Sequence, residues 1–203
     1  MLAGGSSRRL GQDKALLEVG GMTLVERAVQ TLQELDLDVR VVCGSEDQAR
    51  LIKSPAILDR TPGQGPVMGI WSALQHSDHQ NNCFLCCDMP FLPSKLLRRL
   101  WSLKRGFHVV VPTDQEGRIQ PLCGIYSRQC RGVLGDQLRR GVLSILDVLK
   151  SGCLKVNVVA AQELDVDSHT FLNINDRASL RALQEHLGKS TQQKRTGGKP
   201  CIS

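Results

Sequence analysis

Two hydrophobic periods alternate along this chain, and that alternation limits the fold more than any other feature. Short β-branched or apolar runs recur at 39–43, 56–58, 83–87, 107–111, 122–126 and 154–159. Between them, apolar residues return every three or four positions. From Thr23 to Leu35, for example, Leu24, Val25, Ala28, Val29, Leu32 and Leu35 share one helical face. Similar reasoning predicts helices over 46–53, 67–75, 96–103, 129–139, 143–150 and 178–187. The run Cys83-Phe-Leu-Cys-Cys87 is apolar throughout, as a strand covered on both faces must be. Strands alternating with helices predict an α/β chain, a doubly wound and mostly parallel sheet of Rossmann-like type. We expect one domain over 1–188 and a disordered tail over 189–203, which is polar and rich in Gly, Lys and Thr.

Composition removes several classes of partner. The formal net charge of +6 suits an anionic ligand, yet Lys189, Lys194, Arg195 and Lys199 all fall in the tail. Aromatic residues make up 3% of the chain, too few for base-stacking platforms, so no nucleic-acid partner is expected. No apolar run approaches a membrane span, and Met1 is followed by just two apolar residues, so neither a membrane anchor nor a signal peptide is expected. The eight cysteines lack the even spacing of a disulfide scaffold and suit reduced thiols in the cytoplasm. Cys83 and Cys86 have C-x-x-C spacing, but they read as a strand interior rather than as a zinc knuckle.

The start of the chain, Met1-Leu-Ala-Gly-Gly-Ser-Ser-Arg-Arg-Leu-Gly-Gln-Asp-Lys14, concentrates groups that bind phosphate. Paired glycines let a backbone approach a ligand closely and aim several N–H groups one way. Arg8, Arg9 and Lys14 add positive charge, and Ser6 and Ser7 add neutral donors. A solvated Gly/Ser turn is the alternative on these residues alone. The run is not a P-loop, because the glycine at Gly11 is followed by Gln12 rather than lysine. The stretch Gly63-Gln-Gly65-Pro-Val-Met-Gly69 is one residue too long for a dinucleotide fingerprint. A loop of this kind normally follows a strand of about five or six residues. Here only Met1-Leu2-Ala3 precede Gly4, so we expect a very short first strand or a truncated chain start, and favour truncation.

Two aspartates sit where strands should end. In open α/β sheets ligands bind beyond the carboxyl ends of the strands, and Asp59 and Asp88 both follow predicted strands there. Pro90 holds Met89 extended, which fixes where Asp88 emerges. Asp88 is then either a turn aspartate capping the next helix or a hard oxygen ligand for magnesium. Asp59 is either a turn initiator before Thr61-Pro62-Gly63 or a ligand contact. Asn173 and Asn175 face one way if extended, or simply form turns before Asp176.

The stretch from Leu2 to Lys14 resembles the signature Leu-Ala-Gly-Gly-x-Ser-x-Arg-Met-Gly-x-Asp-Lys of the molybdenum cofactor guanylyltransferases, within the nucleotidyltransferase superfamily. Leu10 stands where the family usually has methionine. The resemblance continues, in the family's order, at 59–70, at Asp88-Met-Pro-Phe91, at Gln120-Pro-Leu-Cys-Gly-Ile-Tyr126 and at Phe171-Leu-Asn-Ile-Asn-Asp176. The family often carries an asparagine after the second strand, near Cys43-Gly44, and this chain has none there. The resemblance implies transfer of GMP from GTP to the terminal phosphate of molybdopterin, with pyrophosphate released. It implies that Leu2, Ala3, Gly4 and Gly5 hold the nucleotide, that Arg9 and Lys14 neutralise its β- and γ-phosphates, and that Asp59 contacts the guanine nucleotide. Asp88 would bind Mg²⁺, and Asn173 and Asn175 would lie where the pterin binds. Transient contact with cofactor-delivering or molybdoenzyme-maturation proteins is implied in the same way. Two alternatives remain open: a nucleotidyltransferase using CTP or another acceptor phosphate, and a nucleotide- or cofactor-binding protein without turnover.

Overall fold

The computed structural model describes residues 1–3, 13–59, 61, 63–167, 169–174, 179–181 and 183. Its sheet is organised around the first three residues. Met1, Leu2 and Ala3 are buried and lie between β3 (Val41–Cys43) and β5 (Asn81–Leu85), with Leu2 bridged in parallel to Val42 on one side and to Cys86 on the other. Five main-chain bonds hold this short segment: the Met1 amine to Arg40 O at 2.8 Å, Leu2 N–H to Leu85 O at 2.8 Å, Ala3 N–H to Val42 O at 3.0 Å, Val42 N–H to Met1 O at 2.8 Å and Cys87 N–H to Leu2 O at 3.3 Å. Both neighbouring strands pair with it.

Outward from β3, β4 (Ala56–Leu58) pairs in parallel. On the other side the order runs β5, β7 (Cys123–Ser127), β6 (Val109–Pro112), β8 (Val156–Val159). Strand β7 is antiparallel to both β5 and β6, whereas β6 and β8 are parallel. The expected parallel sheet is therefore interrupted by one reversed strand. A small antiparallel pair, β1 (Glu18–Val19) with β2 (Met22–Thr23), turns at Gly20-Gly21. Both glycines have positive φ, 60° and 78°, which L side chains resist. Two-residue strands carry too few positions for any periodic signal, and the sequence reading placed no strand there.

Alternate residues of each strand enter opposite cores. Met1, Ala3, Val41, Cys43, Leu85, Val110 and Ile125 face one side, where α1 (Leu24–Gln33) and α4 (Ser94–Ser102) pack. Leu2, Val42, Phe84, Val109, Val111 and Tyr126 face the other, under α3 (Gly65–Gln75), α5 (Cys130–Arg139) and α6 (Ile145–Lys150). A shorter helix, α2 (Glu46–Leu51), follows β3. Helix α1 starts at a capping box: Thr23 accepts from Glu26 N–H, and the Glu26 carboxylate accepts from Thr23 N–H at 2.8 Å. Its buried face, Leu24, Val25, Ala28, Val29 and Leu32, is the one read from the periodicity. Tyr126 is wholly buried, stacks edge-to-face on Phe84 with ring centres 5.3 Å apart, and donates its hydroxyl to Pro121 O at 2.6 Å.

Predicted and observed elements differ mainly at their ends. The run at 83–87 gives a strand over Asn81–Leu85, because beyond Leu85 the chain serves the first segment through Cys86 and then turns. Most of the predicted helix over 178–187, and all of the tail over 189–203, lie outside the described residues, although Leu183 is buried in the core.

Gly124 marks the tightest strand contact. A Cβ there would stand 2.6 Å from Val110 O and 2.7 Å from Val111 Cγ1, and backbone cannot yield cheaply. We expect Gly124→Ala to cost about 1–3 kcal/mol, seen as a melting temperature lower by roughly 2–4 °C per kcal/mol. Gly132→Ala on α5, where a Cβ meets nothing within 4 Å, is the control and should hold or raise it.

Candidate active site

The parallel strands end along one edge, and the predicted site residues that are described gather there. Lys14 begins a short 3-10 turn, Lys14–Leu16, whose middle residue Ala15 is fully buried. Asp13 caps this turn, one carboxylate oxygen accepting from Ala15 N–H at 3.0 Å. Its other oxygen accepts from the Gln48 amide nitrogen at 2.8 Å. Gln48 is itself buried and fully employed: it donates to Ala3 O at 3.1 Å and accepts from Gly44 N–H at 2.8 Å. One side chain thus joins the end of the first segment, the end of β3 and the cap of the lysine turn. Sequence reasoning assigned Gln48 no role. It lies on α2, four residues past Gly44, close to where the resembling family often has asparagine.

Asp88 is placed by its backbone. Cys87 is pinned to Leu2 O, Met89 is buried, and the Asp88 carbonyl accepts from Ile174 N–H at 3.0 Å. The carboxylate meets Lys14 Nζ at 3.1 Å, with side-chain exposures of 14% for the lysine and 19% for the aspartate. Two groups 74 positions apart in sequence form one partly shielded ion pair. The second Asp88 oxygen, Oδ1, is buried without a hydrogen-bond partner among the described residues, and so is Oδ1 of Asn173. Both residues line a cavity of about 270 Å³ with Pro66, Gln120, Ser144 and Ile145. Unpaired buried oxygens normally carry a desolvation cost of about 1–3 kcal/mol unless something supplies a donor or cation. Asp88 therefore fits one hard divalent cation, which takes one or two protein carboxylates and fills its remaining positions with other oxygens.

Asp59 stands at the end of β4 on the same edge. Its N–H donates to Cys43 O at 2.8 Å, and its carboxylate accepts from Ser72 Oγ of α3 at 3.0 Å. The loop that follows is closely folded. Gly65 has φ of +70°, and a Cβ there would lie 2.8 Å from Leu143 O. Only glycine fits, and the loop is thereby held against the segment leading into α6.

Leu2 and Ala3, expected among the groups that hold the nucleotide, have both N–H groups spent inside the sheet. What they can still offer a ligand is carbonyl lone pairs and contact surface. Gly4, Gly5, Arg9 and Asn175 lie outside the described residues. The thiols of Cys86 and Cys87, just beyond β5, are buried. Burial pushes Cys83 up to about 12 against an opposing effect of the Met1 amine, and a hydrogen bond with Cys87, then burial, raises Cys86 well above the ordinary thiol value.

A second polar cluster reaches the cavity through Gln120. At the turn after β6, Asp114 is 5% exposed and accepts from Glu116 N–H at 3.0 Å, Arg118 N–H at 2.9 Å, Arg118 Nε at 2.7 Å and Gln120 Nε2 at 3.0 Å. Burial alone would raise this carboxyl; the Arg118 bonds and charge, with the Glu116 N–H, outweigh it and hold it below the usual carboxylate range. Neither Asp114 nor the bond it accepts from Gln120 could be read from sequence spacing.

A family model described as a MobA-like NTP transferase domain matches residues 1–156. The chain belongs to that family. It is similar to a probable molybdenum cofactor guanylyltransferase of Pelotomaculum thermopropionicum, 32% identical over 184 residues that cover 89% of this chain and 88% of the relative. A protein of the same name from Bacillus subtilis is 32% identical over 211 residues, covering 96% of each chain. Among solved structures, the molybdopterin-guanine dinucleotide biosynthesis protein A of Archaeoglobus fulgidus superposes with a TM-score of 0.79 at 26% identity, covering 93% of this chain and 97% of that one. Membership in the MobA-like family agrees with the doubly wound architecture, and the matched residues include four of the five sequence blocks, all but 171–176. Among the described residues, no helix is long and apolar enough to cross a membrane.

If Lys14 and Asp88 hold one another in place, their contributions to stability are not independent. We expect the double variant Lys14→Met/Asp88→Asn to be more stable than the sum of the single variants predicts, by about 1 kcal/mol or more, in denaturant titrations of all four proteins.

Proposed function

We propose that this chain transfers GMP from GTP to the terminal phosphate of molybdopterin, releasing pyrophosphate and forming molybdopterin guanine dinucleotide. The observation that carries this reading is the Lys14–Asp88 pair, 3.1 Å apart at the carboxyl edge of the sheet, whose Asp88 lines a cavity and keeps a buried oxygen without a partner among the described residues. Membership in the MobA-like family, and relatives named as guanylyltransferases, support the choice of substrates.

Phosphoryl-type transfer depends on alignment and charge neutralisation more than on a protein nucleophile. The acceptor phosphate is already ionised, so it needs no strong base, and no Ser-His-Asp or Cys-His arrangement was found in the sequence. In this reading Lys14 and Arg9 face the β- and γ-phosphates, whose charge grows as pyrophosphate departs. Gly4 and Gly5 let the backbone come close to the nucleotide, and Asp59 contacts it from the end of β4. Asn173, which lines the cavity, and Asn175 bind the pterin. Asp88 would hold Mg²⁺, which supplies charge neutralisation at the α-phosphate and a template for in-line geometry.

The free thiols of the described cysteines fit a reducing compartment, and we place the reaction in the cytoplasm. Its product serves molybdoenzymes, so transient contact with cofactor-delivering or maturation proteins belongs to the same proposal.

The test is pyrophosphate release on mixing the chain with GTP, Mg²⁺ and molybdopterin, with CTP in a parallel reaction. GTP should be turned over and CTP should not; the reverse, or nucleotide binding without release, overturns the reading. Lys14→Ala and Asp88→Ala should each lower turnover by two orders of magnitude or more, about 3 kcal/mol of barrier. Near-normal activity of Asp88→Ala at saturating Mg²⁺ would remove the metal from Asp88.

A further inference from the structure

Asp114 touches neither Lys14 nor Asp88, yet one of its four hydrogen bonds leaves its own turn. Three close the hairpin: the N–H groups of Glu116 and Arg118, and Arg118 Nε. Backbone bonds already seal that turn, from Asp114 N–H to Arg118 O at 2.9 Å and from Gly117 N–H to Asp114 O at 3.1 Å. The fourth bond goes to Gln120 Nε2 at 3.0 Å, and Gln120 lines the cavity shared by Asp88 and Asn173.

A carboxylate can only accept, whereas a primary amide donates at one end and accepts at the other. The two orientations of a glutamine amide have nearly the same shape, so sterics alone leave the choice open. Asp114 decides it. The Gln120 nitrogen must face the carboxylate, and its oxygen is left for the cavity. Asn173 lines the same cavity, its own Oδ1 buried without a hydrogen-bond partner among the described residues. The Gln120 oxygen is then an acceptor for a flat heterocycle carrying ring N–H and exocyclic amino groups.

We propose that Asp114 is a positioning residue for the second substrate: it locks the Gln120 amide with its oxygen toward the pterin, and so selects a donor-rich ring in that cavity. This rests on molybdopterin being the acceptor. The asparagine variant makes the mechanism testable, because it inverts the logic. In Asp114→Asn the side-chain oxygen can still take the two hairpin N–H groups, but the other end becomes a donor, giving up the Arg118 Nε bond and facing Gln120 with an N–H. Gln120 then turns its oxygen to that donor and its nitrogen into the cavity, where it meets the ligand's own donors.

The experiment measures Kd for molybdopterin alone, by pterin fluorescence, and Kd for GTP alone, before any turnover assay. Asp114→Asn and Gln120→Ala should each weaken molybdopterin binding by about tenfold, the loss of one good hydrogen bond, with GTP binding within twofold of the parent chain. The exchanged pair Asp114→Asn/Gln120→Glu puts the acceptor-only group at 120 and the amide at 114. It should recover most of the lost molybdopterin affinity, which a merely structural role of Asp114 would not produce. Unchanged molybdopterin binding in both single variants, equal losses for both ligands, or an exchanged pair no better than Asp114→Asn overturns the proposal. Should Asp114→Asn fail to fold, Gln120→Ala, which leaves the hairpin bonds intact, decides alone. A parent chain that binds molybdopterin but releases no pyrophosphate contradicts the transfer reaction and leaves these binding comparisons valid.

Discussion

A three-residue segment paired on both sides holds this molecule together. Met1, Leu2 and Ala3 fill the gap between β3 and β5, and their backbone bonds join two halves of the sheet. Side chains from the same three residues enter both cores, Met1 and Ala3 on one face and Leu2 on the other. Strand length is not what makes this work. A short strand at a sheet edge would be marginal, but in the middle every N–H and C=O has a partner and every side chain is buried.

From that placement the site follows. Ala3 ends at the carboxyl edge, where its carbonyl is held by Gln48, and the same amide reaches the Asp13 carboxylate that caps the lysine turn. Leu2 holds Cys87 from its other side, one residue before Asp88. The two charged groups of the ion pair are thus each fixed by short chains of hydrogen bonds that begin at the central segment. Preorganisation of this kind suits nucleotidyl transfer, where the protein positions charges and does little covalent chemistry.

The reversed strand β7 has a separate consequence. Because it runs against its neighbours, the segment entering it, from Gln120 to Leu122, comes from the same edge at which the parallel strands end. That brings Gln120, which Asp114 holds, to the cavity lined by Asp88 and Asn173. In an all-parallel sheet the entry to this strand would lie at the opposite edge, away from the site.

Much of this was legible in the residues. Helical periodicity and apolar runs give the doubly wound class, the buried face of α1 and nearly every later element to within a few positions, because burial on one stripe or both faces dictates which residue types recur. The loop composition and the strand-end aspartates pointed to Lys14 and Asp88, since chemistry restricts what can neutralise phosphate or hold a cation. Register, strand direction and side-chain partners were not legible. Nothing local says that β7 runs backward, that Gln48 reaches Ala3 and Asp13, or that Asp114 turns Gln120. A sequence specifies which groups are apolar, charged or conformationally permissive. Which of them meet is settled when burial forces each remaining donor to find an acceptor brought in from a distant stretch of chain.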